Sequence, residues 1–137
     1  MIKLKDILNE VAYSVKKSEV EYDDIDDELI AVTYKFSTKQ NEYDIVFYAP
    51  ALRQFELTFG LERQDTGALN TDQMTEEGDA ANIIQTVCKA INEFFDEYDD
   101  QIESLEITGT SEKRSRVYKA YMPKYINPKY SSRIDIK

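Results

Sequence analysis

The residues of this 137-residue chain that could do chemistry fall into two runs of opposite sign. Residues 18–28, SEVEYDDIDDE, hold seven carboxylates: Glu19, Glu21, Asp23, Asp24, Asp26, Asp27 and Glu28. Divalent cations take several oxygens, and Asp23, Asp24, Asp26 and Asp27 could supply them. The calcium-loop pattern, with Gly at the sixth position and Glu at the twelfth, is missing. Spaced carboxylates can also imitate phosphates, so a folded acidic surface can fill a site built for nucleic acid. The plainer alternative is a solvated charged loop. Glu21, Asp23, Asp24, Asp26, Asp27 and Glu28 form the candidate acidic interaction surface, with no metal and no cofactor assigned.

The second run is SEKRSRVYKAYMPKY, residues 111–125. At about 100° per helical residue, Lys113, Arg116 and Lys119 share one arc, while Val117, Tyr118, Tyr121 and Met122 share the other. Arg114 lies with the second group. Basic side chains interleaved with tyrosine suit phosphate contact and base stacking. The alternative is that the tyrosines complete the core, the lysines are solvated, and Arg114 stacks or pairs with a carboxylate. The candidate basic and aromatic surface is Lys113, Arg114, Arg116, Lys119, Tyr121 and Lys124. Tyr125, Lys129, Tyr130 and Arg133 carry the same composition toward the C-terminus, where it could equally dock on another subunit.

Composition excludes several chemistries. There is no His and one Cys, which removes an imidazole base, Ser-His-Asp and Cys-His sites, His-ligated metals, CxxC redox pairs and intrachain disulfides. The four glycines, at 60, 67, 78 and 109, make no phosphate loop. Cys88 lies on an apolar helix face, four residues after Ile84 and three before Ile91, and reads as a buried small hydrophobe. The formal charge of -10 is unevenly spread: residues 1–110 hold 25 acids against 9 bases, residues 111–137 hold 2 against 8. Such asymmetry suggests an interaction segment, or a basic segment lying across the protein's own acidic surface.

The elements that must position these groups follow from periodicity. Leu4, Ile7, Leu8, Val11 and Val15 predict a helix over 3–16. The acidic run reads as a loop. Alternation predicts strands at 30–36 (Ile30, Val32, Tyr34, Phe36), 43–48 (Tyr43, Ile45, Phe47, ended by Pro50) and 54–62 (Phe55, Leu57, Phe59, Leu61). Residues 63–75 read as a loop. A long helix over 76–98, N-capped by Thr75, carries Ile84, Val87, Ile91, Phe94 and Phe95. A fourth strand at 102–108 and a last helix from Ser111 to Pro123 follow, then an extended tail turning at Asn127-Pro128. The expected fold is α+β, in the order α-β-β-β-α-β-α. It has a four-stranded, mostly antiparallel sheet with helices mainly on one face. Residues 1–126 would form a single domain and 127–137 a basic tail. The 54–62 strand, the long helix and the fourth strand should make a right-handed crossover if the two strands are parallel.

The stretch from Met74 to Ile126 resembles the C-terminal half of a family of small, uncharacterised tailed-bacteriophage proteins. The matching residues are Gly78, Asp79, Ala80, Val87, Ile91 and Phe94. Ser115-Arg116-Val117-Tyr118 stands where that family has a Ser-Arg-x-x-Leu-Tyr-x-Arg helix, with the Leu-Tyr pair displaced and altered. The resemblance spans roughly residues 28–126. It implies phage origin and no catalytic residue. The expected protein is non-catalytic, engages a host or phage protein, and acts in the infected cell's cytoplasm, with no membrane segment. Its sharpest form is an acidic inhibitor of a host nucleic-acid-handling or defence complex. The alternatives are a nucleic-acid-associated accessory protein, which the net charge disfavours, and a minor virion or assembly component. A homo-oligomer is also allowed.

Overall fold

The computed structural model describes residues 13–39, 41–62, 69–70, 80–108 and 112–137. Strands β1 (Lys16–Tyr22), β2 (Leu29–Ser37), β3 (Glu42–Ala51) and β4 (Gln54–Glu62) come first, then the two-residue β5 (Leu69–Asn70). Helix α1 (Ala80–Tyr98), strand β6 (Ser104–Ile107) and helix α2 (Glu112–Tyr121) follow, and after two short 3-10 turns the chain ends in β7 (Ile134–Ile136). The strands form one mixed sheet in the order β1-β2-β3-β4-β6-β7, with β5 paired to the end of β4. β1 through β5 pair antiparallel, whereas β4–β6 and β6–β7 are parallel.

The α+β class is as expected, but the sheet is wider than four strands and mixed. Two strands account for most of the difference. β1 takes in Lys16, Lys17 and the first five residues of the acidic run expected to be a loop, 18–22, leaving 23–28 as the turn, and every one of its residues is exposed. An edge strand needs only one pairing side and no buried row, so charges do not forbid it. β7 lies in the expected tail. It has three residues and no periodicity to read, and it forms because Leu105, Glu106 and Ile107 present a free edge to Ile134, Asp135 and Ile136. β5 likewise falls in the expected 63–75 loop. The helix expected at 3–16 lies outside the described residues as far as residue 12. Residues 13–15 are irregular, and Lys16 already opens β1.

The remaining expectations differ by residues rather than by kind. β3 runs on through Pro50 to Ala51, where the register shifts between Tyr48 and Ala51. Proline is tolerated there because a bulge needs no ladder donor. The stretch expected for the start of the long helix, 76–79, and its cap Thr75 lie outside the described residues. α2 stops at Tyr121 and Pro123 enters a 3-10 turn, as the restriction on the residue before proline requires. The β4–α1–β6 unit joins parallel neighbours, the condition under which the right-handed rule applies.

The core lies between the sheet and α1. Tyr34, Tyr43, Ile45, Phe47, Phe55 and Leu105 are almost wholly buried on one sheet face. Phe94 of α1 stacks on Phe47 with ring centres 4.1 Å apart and meets Phe55 edge-on at 5.2 Å. The opposite face carries polar cross-strand pairs. Lys35 Nζ bridges Asp44 at 2.9 Å, and the Tyr48 hydroxyl donates to Glu56. Residues 127–137 belong to the same body: Tyr130 is buried against Phe95, their rings 4.7 Å apart.

Candidate interaction surfaces

The acidic run forms the tip of the β1–β2 hairpin. The Asp23 N–H donates to the Glu28 carbonyl at 2.8 Å, and the Asp27 N–H donates to the Asp23 carbonyl at 3.0 Å. Asp23 Oδ1 accepts the N–H of Ile25 at 2.8 Å and of Asp26 at 3.2 Å. These N–H donors, Ile25's first, hold the Asp23 carboxyl below its ordinary value. Asp27 closes the turn at a φ of 59°, a left-handed conformation that Asp tolerates because its short side chain bonds locally. Aspartates are therefore turn-forming residues here as well as charges. Asp24, Asp26 and Asp27 project outward, Asp23 and Glu28 are half-buried, and Glu21 stands on the exposed β1.

At the same end of the sheet, the β3–β4 turn brings up Leu52 and Arg53, with Arg53 at a φ of 60°. Arg53 Nη2 lies 3.7 Å from Glu28 Oε1. Between the two hairpins is a cleft of about 210 Å³ lined by Asp23, Asp26 and Glu28 on one side and Pro50, Ala51 and Leu52 on the other. Ile25 is 95% exposed and Leu52 is 62% exposed. Sequence reasoning missed both. The signal for Ile25 was present: a single large apolar residue inside an acidic turn has no periodic partner and no route to the core.

The basic run divides in two. Lys113, Arg116 and Lys119 are exposed along one side of α2, and among the described residues none enters an ion pair. Lys124 lies over the half-exposed Tyr121 ring at 5.1 Å. Arg114 does not belong to that surface: it is 5% exposed and turned in beside Tyr118. Its position on the tyrosine arc explains this, since that arc is the one packed inward. Burial pushes the Tyr118 hydroxyl up, with Arg114 opposing the shift.

Further along, the bases serve the fold. Arg133 pairs with Asp99, donates to the Asp99 carbonyl at 3.1 Å and the Ile102 carbonyl at 3.0 Å, and stacks on Phe95. The Tyr130 hydroxyl donates to Asp96, and Lys137 Nζ reaches Glu106 at 3.0 Å. Asn92 accepts the Asn127 N–H at 2.8 Å and donates to the Tyr125 carbonyl at 3.0 Å. The basic segment thus covers the acidic end of α1 and part of β6, and leaves the acidic hairpin uncovered.

A second cleft, of about 250 Å³, lies beside β4 and the end of β6, lined by Tyr48, Glu56, Thr58, Glu106, Thr108 and Tyr118. Its carboxylates are both engaged, Glu56 by Tyr48 and Glu106 by Lys137. Among the described residues, no group of three or more Cys, Asp or Glu is placed to hold a metal ion, and no helix is long and apolar enough to cross a membrane. Burial alone pushes the Cys88 thiol up to about 12, which leaves it protonated and unreactive at neutral pH.

Residues 18–137 match a family described only as a family of unknown function, DUF6934. The chain belongs to that family. The match takes in both surfaces, from Glu19 of β1 to the C-terminal Lys137. No curated protein and no solved structure matches the chain.

Proposed function

We propose that this DUF6934 protein is a non-catalytic interaction protein that engages a basic surface of a partner protein through the acidic β1–β2 hairpin. The observation that carries this reading is the arrangement of Asp24, Asp26 and Asp27 around the exposed Ile25. They sit on a turn fixed by its own backbone bonds, and among the described residues they enter no ion pair. Preset carboxylates cost little ordering on binding and attract a basic partner over about a Debye length of 8–10 Å. Affinity capture from lysate should recover a basic protein that is released by salt and lost with Asp24, Asp26 and Asp27 all changed to Asn. Retention of the same protein by that variant would overturn the reading. A narrower form is an inhibitor of a nucleic-acid-handling complex encoded by a phage. It rests on the resemblance to phage proteins read from the sequence of residues 28–126 and on the run of carboxylates in residues 19–28.

A second reading is supported by the basic side of α2, which enters no ion pair among the described residues, with the Lys124–Tyr121 contact. It is binding of single-stranded nucleic acid as an accessory protein. It predicts a gel shift at about 50 mM salt, abolished when Arg116, Lys119 and Lys124 are all changed to Glu. Absence of any shift at that salt would overturn it.

A further inference from the structure

The two edges of the sheet differ in length. β7 offers three residues, Ile134–Ile136, whereas β1 offers seven, Lys16–Tyr22, all exposed and, among the described residues, with one side unpaired. A long open edge is a template for another strand. β1 also has a polarity along its length. Its first half is basic, Lys16 and Lys17, and its second half acidic, Glu19 and Glu21. Lys17 is tied to Glu97 of α1 at 2.5 Å. Lys16 and Glu21 enter no ion pair among the described residues, and both stand on the sheet face opposite α1, in register with Lys35 and Ala31.

The two ends of β1 also differ: one carries an exposed tyrosine and the other an open cleft. At its C-terminal end Tyr22 is 43% exposed. Beside its N-terminal end is an open cleft of about 550 Å³ lined by Tyr13, Ser14, Lys16, Lys35, Phe36 and Ser37. The Tyr13 and Phe36 rings stack there with centres 6.0 Å apart. A strand pairing antiparallel with its own copy brings each end against the other end. With the two-fold axis near Ser18 or Glu19, Lys16 of one copy lies beside Glu21 of the other, and each Tyr22 reaches the partner's cleft. One self-complementary patch thus satisfies the charges, the unpaired edge and the exposed tyrosine, as a closed two-fold contact must.

We propose that β1 is a homodimer interface, in which two copies pair antiparallel edge to edge and continue the sheet across the two-fold axis. This is independent of the acidic-hairpin reading. A contact of one strand per copy is small, so the dimer forms and dissociates with concentration. Sedimentation equilibrium from about 10 µM to about 500 µM spans that range, and the average mass should climb from 15.9 kDa toward twice that value. Lys16→Glu and Glu21→Lys each place like charges across the axis, so each variant alone should stay monomeric with an unchanged far-ultraviolet spectrum. Mixed in equal amounts they are complementary at both contacts and should regain the dimer. A wild-type mass fixed at the monomer throughout overturns the proposal. So do a dimer that ignores both substitutions and a mixture that does not associate.

Discussion

The acidic hairpin and the basic C-terminal segment look symmetrical as charge runs, yet the fold uses them in different ways. In the C-terminal segment, Arg114 is buried, Arg133 bonds two carbonyls and stacks on Phe95, and Lys137 neutralises Glu106. Three of its eight bases thus help to hold the chain together. In the hairpin, Asp23 bonds its own turn, Glu28 meets Arg53, and Asp24, Asp26 and Asp27 remain facing solvent. Long side chains lie along apolar surface and reach across to distant carboxylates, while short aspartates bond locally or not at all. The acidic run therefore keeps its charge facing solvent, which is why the proposed function is placed there although the basic run has the more suggestive composition.

The contrast can be broken by substitution. The largest effect is expected for Tyr118→Ala, which empties a buried ring position in α2 and should cost about 3 kcal/mol in urea unfolding. Asp24→Ala, at the hairpin tip, should leave the same midpoint unchanged. Equal effects would remove the distinction. Arg133→Ala should cost about 1–2 kcal/mol, through two lost carbonyl bonds and the lost stack on Phe95.

Cys88 reports whether the C-terminal segment stays docked, because its sulfur lies 3.7 Å from the Met122 carbonyl. A thiol reagent at neutral pH should modify native protein slowly and the Tyr118→Ala protein faster. Equal rates would mean that the segment does not shield the thiol.

The smallest effect concerns acid. The Asp23 carboxyl is held below its ordinary value of 3.8 in the folded state. Its contribution is present above that value and is lost as pH falls through the lower folded value. Asp23→Asn keeps an acceptor but removes the titration. Its unfolding midpoint should therefore fall less steeply below about pH 4 than that of the wild type, and parallel curves would contradict the turn assigned to Asp23.

How much was legible in the sequence depended on burial. β2, β3, β4 and α1 bury continuous rows, such as Val32, Tyr34 and Phe36 or Ile84, Val87, Ile91 and Phe94. Periodicity located them to within a few residues because burial selects the apolar period. β1 buries nothing and β7 is three residues long, so neither has a period. Both surfaces were recognisable as charge runs. Arg114's true place was already implied by its position on the tyrosine arc, and Ile25's exposure by its isolation in an acidic turn, whereas the exposure of Leu52 beside it required the two hairpin tips to be seen side by side.

By itself the sequence determined the α+β class, the three central strands and the long helix. It also excluded histidine and paired-cysteine chemistry and located the two charge runs. These depend on local spacing and on which residue types are present. Only the tertiary structure decided the width and mixed sense of the sheet, which carboxylates the chain neutralises itself, and which edge stays open. Those depend on pairings between residues far apart in the chain, such as Arg133 with Asp99, Lys137 with Glu106 and Lys17 with Glu97. Local order along the chain carries no record of such partners, because each is chosen by the fold that brings it within reach.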